Sequence, residues 1–471
     1  MKRLTLLDSQ NIEHIHFIGI GGSSMSGLAE ILLDLGYKVS GSDKKVSYIT
    51  DKLKKMGAKI YPYHSEENVT GADMVVYTVA VKEDNPELVK ARNMGIPVID
   101  RAALLGEIMK SYPYSIAISG THGKTTTTSM ITTIMMKAGK DPSVNIGGEL
   151  ESIGGNTRLG GDEYFIAEAC EYYESFLKFH PFLAVVLNIE LDHVDYFKDI
   201  EHIKSAFLKF MCSVPENGYV VACVDDENIR TLMDKVTRNK VTYGVGSKDA
   251  TWSAKDIKFD DRGCASYTLL HDGEEIDEIK LSVPGLHNVS NSLAAIASCY
   301  SLGLSIPSIK EGLAAFRGTH RRFETKGFVN GIRVIDDYAH HPSEIRATLK
   351  AAKAVKASKI WCVFQPHTYT RTQTLMDDFS TAFTYADSVI IADIYAAREA
   401  DNGTVHASML ADRIRNNGQD AIYLGSFDTI VDYLTANSAP GDIIITMGAG
   451  DIYKVGEMFL SKNTEAAAVG V

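Results

Sequence analysis

The chain has 471 residues, with 48 Lys and Arg against 60 Asp and Glu, so its formal charge is −12 and its pI about 5.6. That summed field repels a long polyanion such as nucleic acid, and any phosphate site must be local. A composition of 45% hydrophobic and 23% charged residues excludes disorder, no apolar run approaches the roughly 18 to 20 residues that cross a bilayer, and six scattered cysteines without a CxxC pair exclude a zinc or disulfide framework.

The start, MKR, is followed by only four non-ionic residues before Asp8, too short for a secretory h-region, so a cytoplasmic protein is expected. An apolar run at 14–20 (HIHFIGI) predicts a strand, 26–35 an amphipathic helix, 38–42 a second strand and 74–81 (MVVYTVAV) a later buried strand. Such alternation specifies a parallel sheet covered by helices. A second unit opens on a strand at 115–119, a glycine-rich turn and a helix at 125–138, followed by strands at 164–167, 184–189 and 219–224. Strands at 265–270 and 278–283 flank His271-Asp272-Gly273-Glu274, a hairpin signal, so this unit gains an antiparallel addition. Beyond Gly331, strands at 333–336, 360–364, 388–392, 421–424 and 442–447 alternate with helical stretches, and the tail from Lys462 lacks periodicity and is expected to fray. The fold class is α/β in three domains: 1–108 Rossmann-like, 109–325 of P-loop ATPase type with a mostly parallel sheet plus the antiparallel addition, and 326–471 Rossmann-like again.

The strongest local signal is SGTHGKTTTT at 119–128. A strand, a glycine turn and a helix start gather backbone N–H groups at one point, a ready anion site. Gly120, Thr121, His122, Gly123, Lys124, Thr125 and Thr126 make the loop; Lys124 offers a mobile charge to the β/γ-phosphates and Thr125 a hydroxyl for Mg²⁺. The first glycine falls later than in GxxxxGK[ST], whose pattern would put it where Ile118 stands. A nucleoside triphosphate brings charge that wants hard oxygen ligands at neighbouring strand ends. Glu168 and Glu171 follow one strand, and Glu190, Asp192, His193 and Asp195 follow another.

The first strand runs into Gly19-Ile20-Gly21-Gly22-Ser23-Ser24-Met25-Ser26-Gly27, and Asp43 ends the second strand. This is a diphosphate-binding turn with Ser24 where a dinucleotide fingerprint wants its third glycine, so a nicotinamide-dependent oxidoreductase stays open as an alternative. Adjacent His340 and His341 lack further ligands at zinc spacing, which points to capping or hydrogen bonding. The arginine pair Arg321-Arg322 at the second boundary reads either as a solvated face, the usual case, or as a guanidinium delivered to complete the charge of a phosphoryl-transfer site.

In order along the chain, HFIGIGGSSMSGLAE, SGTHGKTTTT, EACEYYESF, NIELDHVDYF, GLHNVSNSLAA, GTHRRFE, DDYAHHPSEI, FQPHTYTR and DIYAAREAD resemble the ATP-dependent Mur ligases of peptidoglycan synthesis over nearly the whole length. The resemblance implies three domains that take the UDP-sugar, the ATP and the amino acid in that order. It implies UDP-N-acetylmuramate, ATP and L-alanine as substrates, Mg²⁺ as cofactor, and an acyl phosphate attacked by the amine. It assigns Gly19, Gly21, Gly22, Ser26, Asp43 and Glu171 to the UDP-sugar, and Lys124 to the phosphates. Thr125 and Glu168 would hold one Mg²⁺, and His193 a second that bridges the acyl phosphate. His287, Asn288 and Asn291 would meet the adenine side and Arg322 the phosphates, with Asp336 and Tyr338 closing over the nucleotide. His340, His367 and Arg371 would form the alanine pocket, with Arg371 on its carboxylate. Cys170 stands where an acid is common, Ser23 and Ser24 where Ile-Gly is frequent, Thr368 where some relatives carry arginine, and Leu208 where others carry a carbamoylated lysine; no such modification is expected. Within the family, a ligase that reattaches a recycled tripeptide is the nearest alternative, and DIYAAREAD with FQPHTYTR favours alanine.

Overall fold

The computed structural model describes residues 11–469 apart from 46, 79, 195, 248 and 402, so Asp195 lies outside the described residues. Its strands are β1 (His14–Ile18), β2 (Lys38–Ser42), β3 (Lys59–Tyr61), β4 (Met74–Tyr77), β5 (Val98–Asp100), β6 (Tyr114–Ser119), β7 (Ser143–Leu150), β8 (Gly155–Arg158), β9 (Tyr164–Glu168), β10 (Leu183–Val186), β11 (Tyr219–Cys223) and β12 (Asn239–Gly244). There follow β13 (Trp252–Phe259), β14 (Cys264–His271), β15 (Glu274–Pro284), β16 (Glu324–Val329), β17 (Ile332–Asp337), β18 (Ile360–Phe364), β19 (Ser388–Ala392), β20 (Ala421–Gly425) and β21 (Ile443–Met447). Two compact units contain them, one built from Met1–Glu190, Glu201–Trp252 and Leu293–Gly312, the other from Leu191–Ile200, Ser253–Ser292 and Leu313–Val471.

The first unit holds a sheet in the order β3-β2-β1-β4-β5, parallel throughout. The chain order reverses at β1, which is where a ligand crevice opens in such sheets. A second run, β12-β11-β10-β6-β9-β7-β8, is parallel apart from the β7/β8 pair. Here β6 lies between β10 and β9, so the loop after β6 opens between two strands whose ends carry acids.

The second unit holds the antiparallel pair β14/β15 and the sheet β16-β17-β21-β18-β19-β20, parallel except for β16/β17. In the β14/β15 hairpin His271 faces Glu274 across Asp272 and Gly273, both at positive φ (49° and 83°). That is the mirror-image turn whose twist suits paired strands, and Asp-Gly adopts it at low cost. Both faces of the parallel sheet are covered. Ile335, Cys362, Phe364, Ile391 and Ile445 pack on one side with Ile345, Leu349 and Phe379, while Val334, Trp361, Val363, Ile390 and Ile444 pack on the other with Ile430, Leu434 and Phe459. Neighbouring residues on a strand point to opposite faces, so a doubly covered strand reads as an unbroken apolar run.

The expected tail is a correction. The helix Tyr453–Val469 continues through Lys462, because Asn463 Nδ2 donates to Thr435 Oγ1 (3.2 Å) and Lys462 pairs with Asp432. No described helix is long and apolar enough to cross a membrane.

In the first unit, helix Lys124–Lys137 is approached so closely that a Cβ built on Gly312 would stand 2.4 Å from Ile134 Cα. Backbone cannot yield as a flexible side chain does, so Gly312→Ala is expected to cost about 1–3 kcal/mol of stability, typical of overpacking. Thermal and urea unfolding of the two proteins check it; an unchanged transition would show that the helix pair separates freely.

Candidate active site

Two constellations form, one in each unit. In the first, β6 ends at Ser119 and the chain turns through Gly120 (φ 144°) and Gly123 (φ 84°), which sits at the N-cap of helix Lys124–Lys137. Those backbone angles favour glycine, and they aim the first N–H groups of the helix into the loop. The loop is braced from the next strand connection. Thr121 N–H donates to Asn188 O (3.1 Å), His122 N–H to Asn188 Oδ1 (2.8 Å), and Glu190 N–H to Thr121 Oγ1 (2.8 Å).

Lys124 Nζ turns back on this loop, bonding the carbonyls of Gly120 and Thr121 and the carboxylate of Glu171 at 2.9 and 3.2 Å. Burial works to lower its pKa, but the charge of Glu171 outweighs it, so the ammonium is held above its ordinary range. Beside it, Thr125 Oγ1 donates to Glu168 Oε2 (2.9 Å), and the same oxygen accepts Gly147 N–H (2.8 Å). A Cβ at Gly147 would stand 2.7 Å from that carboxylate, so glycine is what lets β7 approach the acid. The two oxygen donors expected for one Mg²⁺ therefore meet at one point. Glu171, expected on the UDP-sugar, is fully buried with its carboxylate on Lys124. Cys170 beside it is half-buried, and desolvation pushes its thiol up to about 11, so it is a neutral group at pH 7.

The glycine turn after β1 lies in the same unit. Gly19 (φ 85°) and Ile20 donate their N–H groups to Ser42 O at the end of β2 (2.8 and 3.1 Å), Gly22 caps helix Ser23–Asp34, and Ser26 lies buried in its first turn. Asp43, expected to reach the ligand, is turned inward: Oδ2 accepts Gly21 N–H and Oδ1 accepts Lys45 N–H, each at 2.9 Å. Its place at the mouth of a tight turn explains this, because the turn's own N–H groups are the nearest donors.

The second constellation gathers Asp192, His193, Tyr338, His340, His367 and Arg371. Arg371 Nη2 and Nε both reach Asp192 Oδ1, at 3.0 and 3.3 Å, and Nη1 donates to His367 Nδ1 at 3.1 Å. His367 is thereby an acceptor, and burial together with Arg371 pushes its pKa down to about 4. Its ring stacks on Tyr395 of the DIYAAREAD segment, 5.7 Å between centroids, and lies 5.9 Å from His340. His340 donates from Nδ1 to Tyr338 O (3.0 Å), and burial holds it near 3, so both imidazoles are neutral at pH 7. Asp192 is buried, a state that by itself would raise its pKa, yet the charge of Arg371 drives it well below the usual carboxylate range. His193, beside it, takes a positive φ of 50°. His341 caps helix Pro342–Lys353, accepting Ser343 N–H while Glu344 accepts its own N–H, the capping role read from the sequence.

The arginine pair divides its work in a way the sequence did not show. Arg321 is the more enclosed partner: Nε donates to Asp336 Oδ2 (2.8 Å), and its other nitrogens bond the carbonyls of Gly448 and Gly450. Asp336, expected over the nucleotide, lies in this pairing with only 1% of it exposed, and Thr446 Oγ1 also donates to it (2.6 Å). Arg322 lies over the Tyr338 ring (5.2 Å) with Glu344 at 3.7 Å, so its guanidinium makes only loose contacts there. Asp337 faces the other way along β17, accepting N–H from Phe323 and Ala339, and burial lifts its pKa to about 6. Asn288 and Asn291 are buried at the start of helix Leu286–Ser301, Asn288 Nδ2 donating to Pro284 O (2.7 Å) and Asn291 Nδ2 to Asn288 Oδ1 (3.1 Å). His287 is pushed down to about 4 by burial and by Arg322.

The chain is similar to known proteins over its whole length. Residues 14–113 match the Mur ligase family catalytic domain, 118–299 the Mur ligase middle domain and 321–450 the Mur ligase glutamate ligase domain. The chain is 64% identical over 469 residues to the UDP-N-acetylmuramate--L-alanine ligase of Acetivibrio thermocellus, covering 100% of both. It is 53% identical over 457 residues to that of Caldanaerobacter subterraneus subsp. tengcongensis, covering 97% of this chain and 99% of the relative. Among solved structures, the UDP-N-acetylmuramate-alanine ligase of Thermotoga maritima superposes with a TM-score of 0.81 at 32% identity, covering 96% of this chain and 99% of that one. A murein peptide ligase of Psychrobacter arcticus follows at 0.69 and 26%, covering 95% and 98%. With all three domain models matched in order along a doubly wound, P-loop-bearing chain, the protein belongs to the Mur ligase family.

Proposed function

We propose that this chain is an ATP-dependent amide-forming ligase that joins L-alanine to the lactyl carboxylate of UDP-N-acetylmuramate, releasing ADP and phosphate, in peptidoglycan synthesis. The observation that carries the reading is the cradle of Lys124, Thr125 and Glu168 at the end of β6, set in a chain 64% identical to a ligase of that name. Residues 1–108 take the UDP-sugar, 109–325 the ATP and 326–471 the amino acid. A carboxylate and a nucleoside triphosphate repel each other, so positive charge must offset that repulsion as the phosphoryl group moves. Lys124 supplies it from the loop, with the N–H groups at the start of its helix, and Arg322, loosely held, supplies a second cation. Thr125 and Glu168 fit Mg²⁺: both offer hard oxygen, they meet at one point, and two protein ligands suit an ion that keeps most of its waters. When bound, the ion neutralises phosphate charge. His193 would hold a second ion, whose charge would add to that neutralisation.

In the alanine pocket Arg371 takes the carboxylate, and His340 and His367 line it as neutral imidazoles. The nearest family alternative, tripeptide reattachment, finds a less similar relative in the 26% identical murein peptide ligase. Phosphate release, measured with UDP-N-acetylmuramate, Mg-ATP and each amino acid in turn, tests the reading. Release with alanine and little with other amino acids is expected; release only with a tripeptide would overturn it.

A further inference from the structure

The segment that braces the phosphate loop is itself held from behind, by residues that carry none of the roles assigned to the site. After Val186, the last residue of β10, the chain runs alongside that loop as 187–190, with Leu187 and Ile189 buried. Buried backbone groups need partners, and Ile189 finds both of its own in the loop that follows β11, the strand beside β10. Its N–H donates to Asp226 Oδ2 (3.0 Å), and its carbonyl accepts from Asn228 Nδ2 (2.8 Å). The residues on either side of Ile189 are the two that grip the phosphate loop. Asn188 takes Thr121 N–H on its carbonyl, while its side chain accepts His122 N–H and donates to His122 O, and Glu190 N–H donates to Thr121 Oγ1.

Asp226 is half-buried and has an oxygen on each of two backbone N–H groups, Oδ2 on Ile189 and Oδ1 on Ile229 (2.9 Å), the second of which caps the short helix Glu227–Arg230. Burial nevertheless raises its pKa against those two donors, and the charge of Glu190 adds to the rise. A carboxyl whose folded pKa lies above its unfolded value near 3.9 favours the fold when protonated, and that stability is lost as pH rises from the unfolded value through the folded one. At neutral pH the ionised Asp226 therefore costs stability, whereas a neutral asparagine caps a helix about as well. Stability given up at one position points to a second task there. The contact that a cap does not require is the one to Ile189.

Glycine at 120 and 123 gives the phosphate loop little stiffness of its own. Because Thr121 and His122 direct their N–H groups to Asn188, the place of the loop is set by where Asn188 stands, and with it the place of the Gly120 and Thr121 carbonyls that seat Lys124 Nζ. A misplacement of about 1 Å in such a group can slow a reaction on the order of a hundredfold. We propose that Asp226 and Asn228 are positioning residues for phosphoryl transfer: by fixing both polar groups of the Ile189 backbone they hold Asn188 and Glu190, and through these the phosphate loop, where Lys124 meets the nucleotide phosphates. Neither residue touches substrate in this role. The inference rests on the ATP reading of the loop.

Asn228→Ala and Asp226→Asn in the full chain test it, with Arg230→Ala as the comparison. Arg230 stands on the same helical turn but holds Val224 O and Ser247 Oγ. Hydrogen exchange read by mass spectrometry on peptides spanning 119–125 should run about fivefold faster in Asn228→Ala, the effect of one lost hydrogen bond, and at the parent rate in Arg230→Ala. Turnover should fall about tenfold or more in Asn228→Ala. In calorimetric titrations the same variant should bind ATP about fivefold more weakly and UDP-N-acetylmuramate as the parent does, a selectivity that a general loss of stability would not produce. Asp226→Asn keeps one acceptor and removes the charge, so its turnover should fall while its melting temperature stays close to the parent's. Parent-like exchange and turnover in Asn228→Ala, or an equal loss of turnover in Arg230→Ala, overturns the positioning role, and parent-like turnover in Asp226→Asn removes Asp226 from it. A parent that binds UDP-N-acetylmuramate but not ATP overturns the ATP reading itself and this inference with it.

Discussion

Lys124→Ala should slow turnover by at least ~10²-fold, with substrate binding much less affected. The ammonium sits on the carbonyls of its own loop and on Glu171, held charged by that carboxylate and placed where the phosphates of ATP would enter. Phosphoryl transfer does little covalent chemistry that a protein can assist, so an oriented charge at the moving group is a large part of catalysis. Losing several kcal/mol of it is a hundredfold or more, since each 1.36 kcal/mol is tenfold. Single-turnover phosphate release under saturating substrates measures the step directly. Because Glu171 is fully buried, the variant also leaves a carboxylate short of its cation, and a lowered melting temperature should accompany the kinetic loss. Turnover within twofold of the parent would remove Lys124 from the phosphate cradle.

The second large effect is expected at the Asp192–Arg371 pair. Both side chains are nearly enclosed, 7% and 11% exposed, and removing one member of such a pair leaves a buried charge that typically costs about 3–5 kcal/mol. Asp192→Ala should therefore lower the unfolding midpoint substantially, whereas replacing both residues by apolar ones of similar size should restore much of it. The pH dependence has a definite sign. The folded pKa of Asp192 lies below its unfolded value near 3.9, so the stability it contributes is full above that unfolded value and is lost as pH falls below it through the folded pKa. Urea midpoints measured from pH 6 down to pH 3 should fall more steeply in the parent than in the double apolar variant. Function makes a separate demand on the same arginine. Asp192 already occupies the fork from the Nε and Nη2 side, while Nη1 is on His367, so alanine's carboxylate must share or displace these partners. Arg371→Lys keeps the charge but loses the planar fork, and the KM for alanine should rise about tenfold or more while the KM for ATP moves little. Equal shifts in both constants would place Arg371 outside the alanine pocket.

Much of this molecule is determined by the sequence alone. The strands expected at 38–42, 360–364 and 388–392 coincide with β2, β18 and β19, and the others expected in the third sheet fall within one or two residues of their observed ends. The physical reason is burial on both faces, which writes a continuous apolar run that no polar alternation interrupts. The two glycine turns were equally legible, because a chain passing from a strand into a helix around an anion needs glycine at positive φ. So was the Asp-Gly hairpin.

What the sequence left undetermined falls into two kinds. Short or half-buried strands such as β3 (three residues), β5 (three residues) and the glycine-interrupted β7 carry too little pattern to read, and they form because a neighbour supplies the ladder. The side-chain pairings are the other kind. Asp336 pairs with Arg321, Asp43 accepts from its own turn, and Asp192 meets Arg371 from 179 residues away. Residue type and local spacing say that a carboxylate sits at a strand end; they do not say which donor lies closest once the sheet is assembled. That choice is made by tertiary structure, because a buried charge settles on the partner that desolvation and distance favour, and both are properties of the packed chain. The carboxylate of Glu87 shows it most plainly: His16 in β1, Ser42 at the end of β2 and His64 beyond β3 share no single motif, yet the fold brings all three to it.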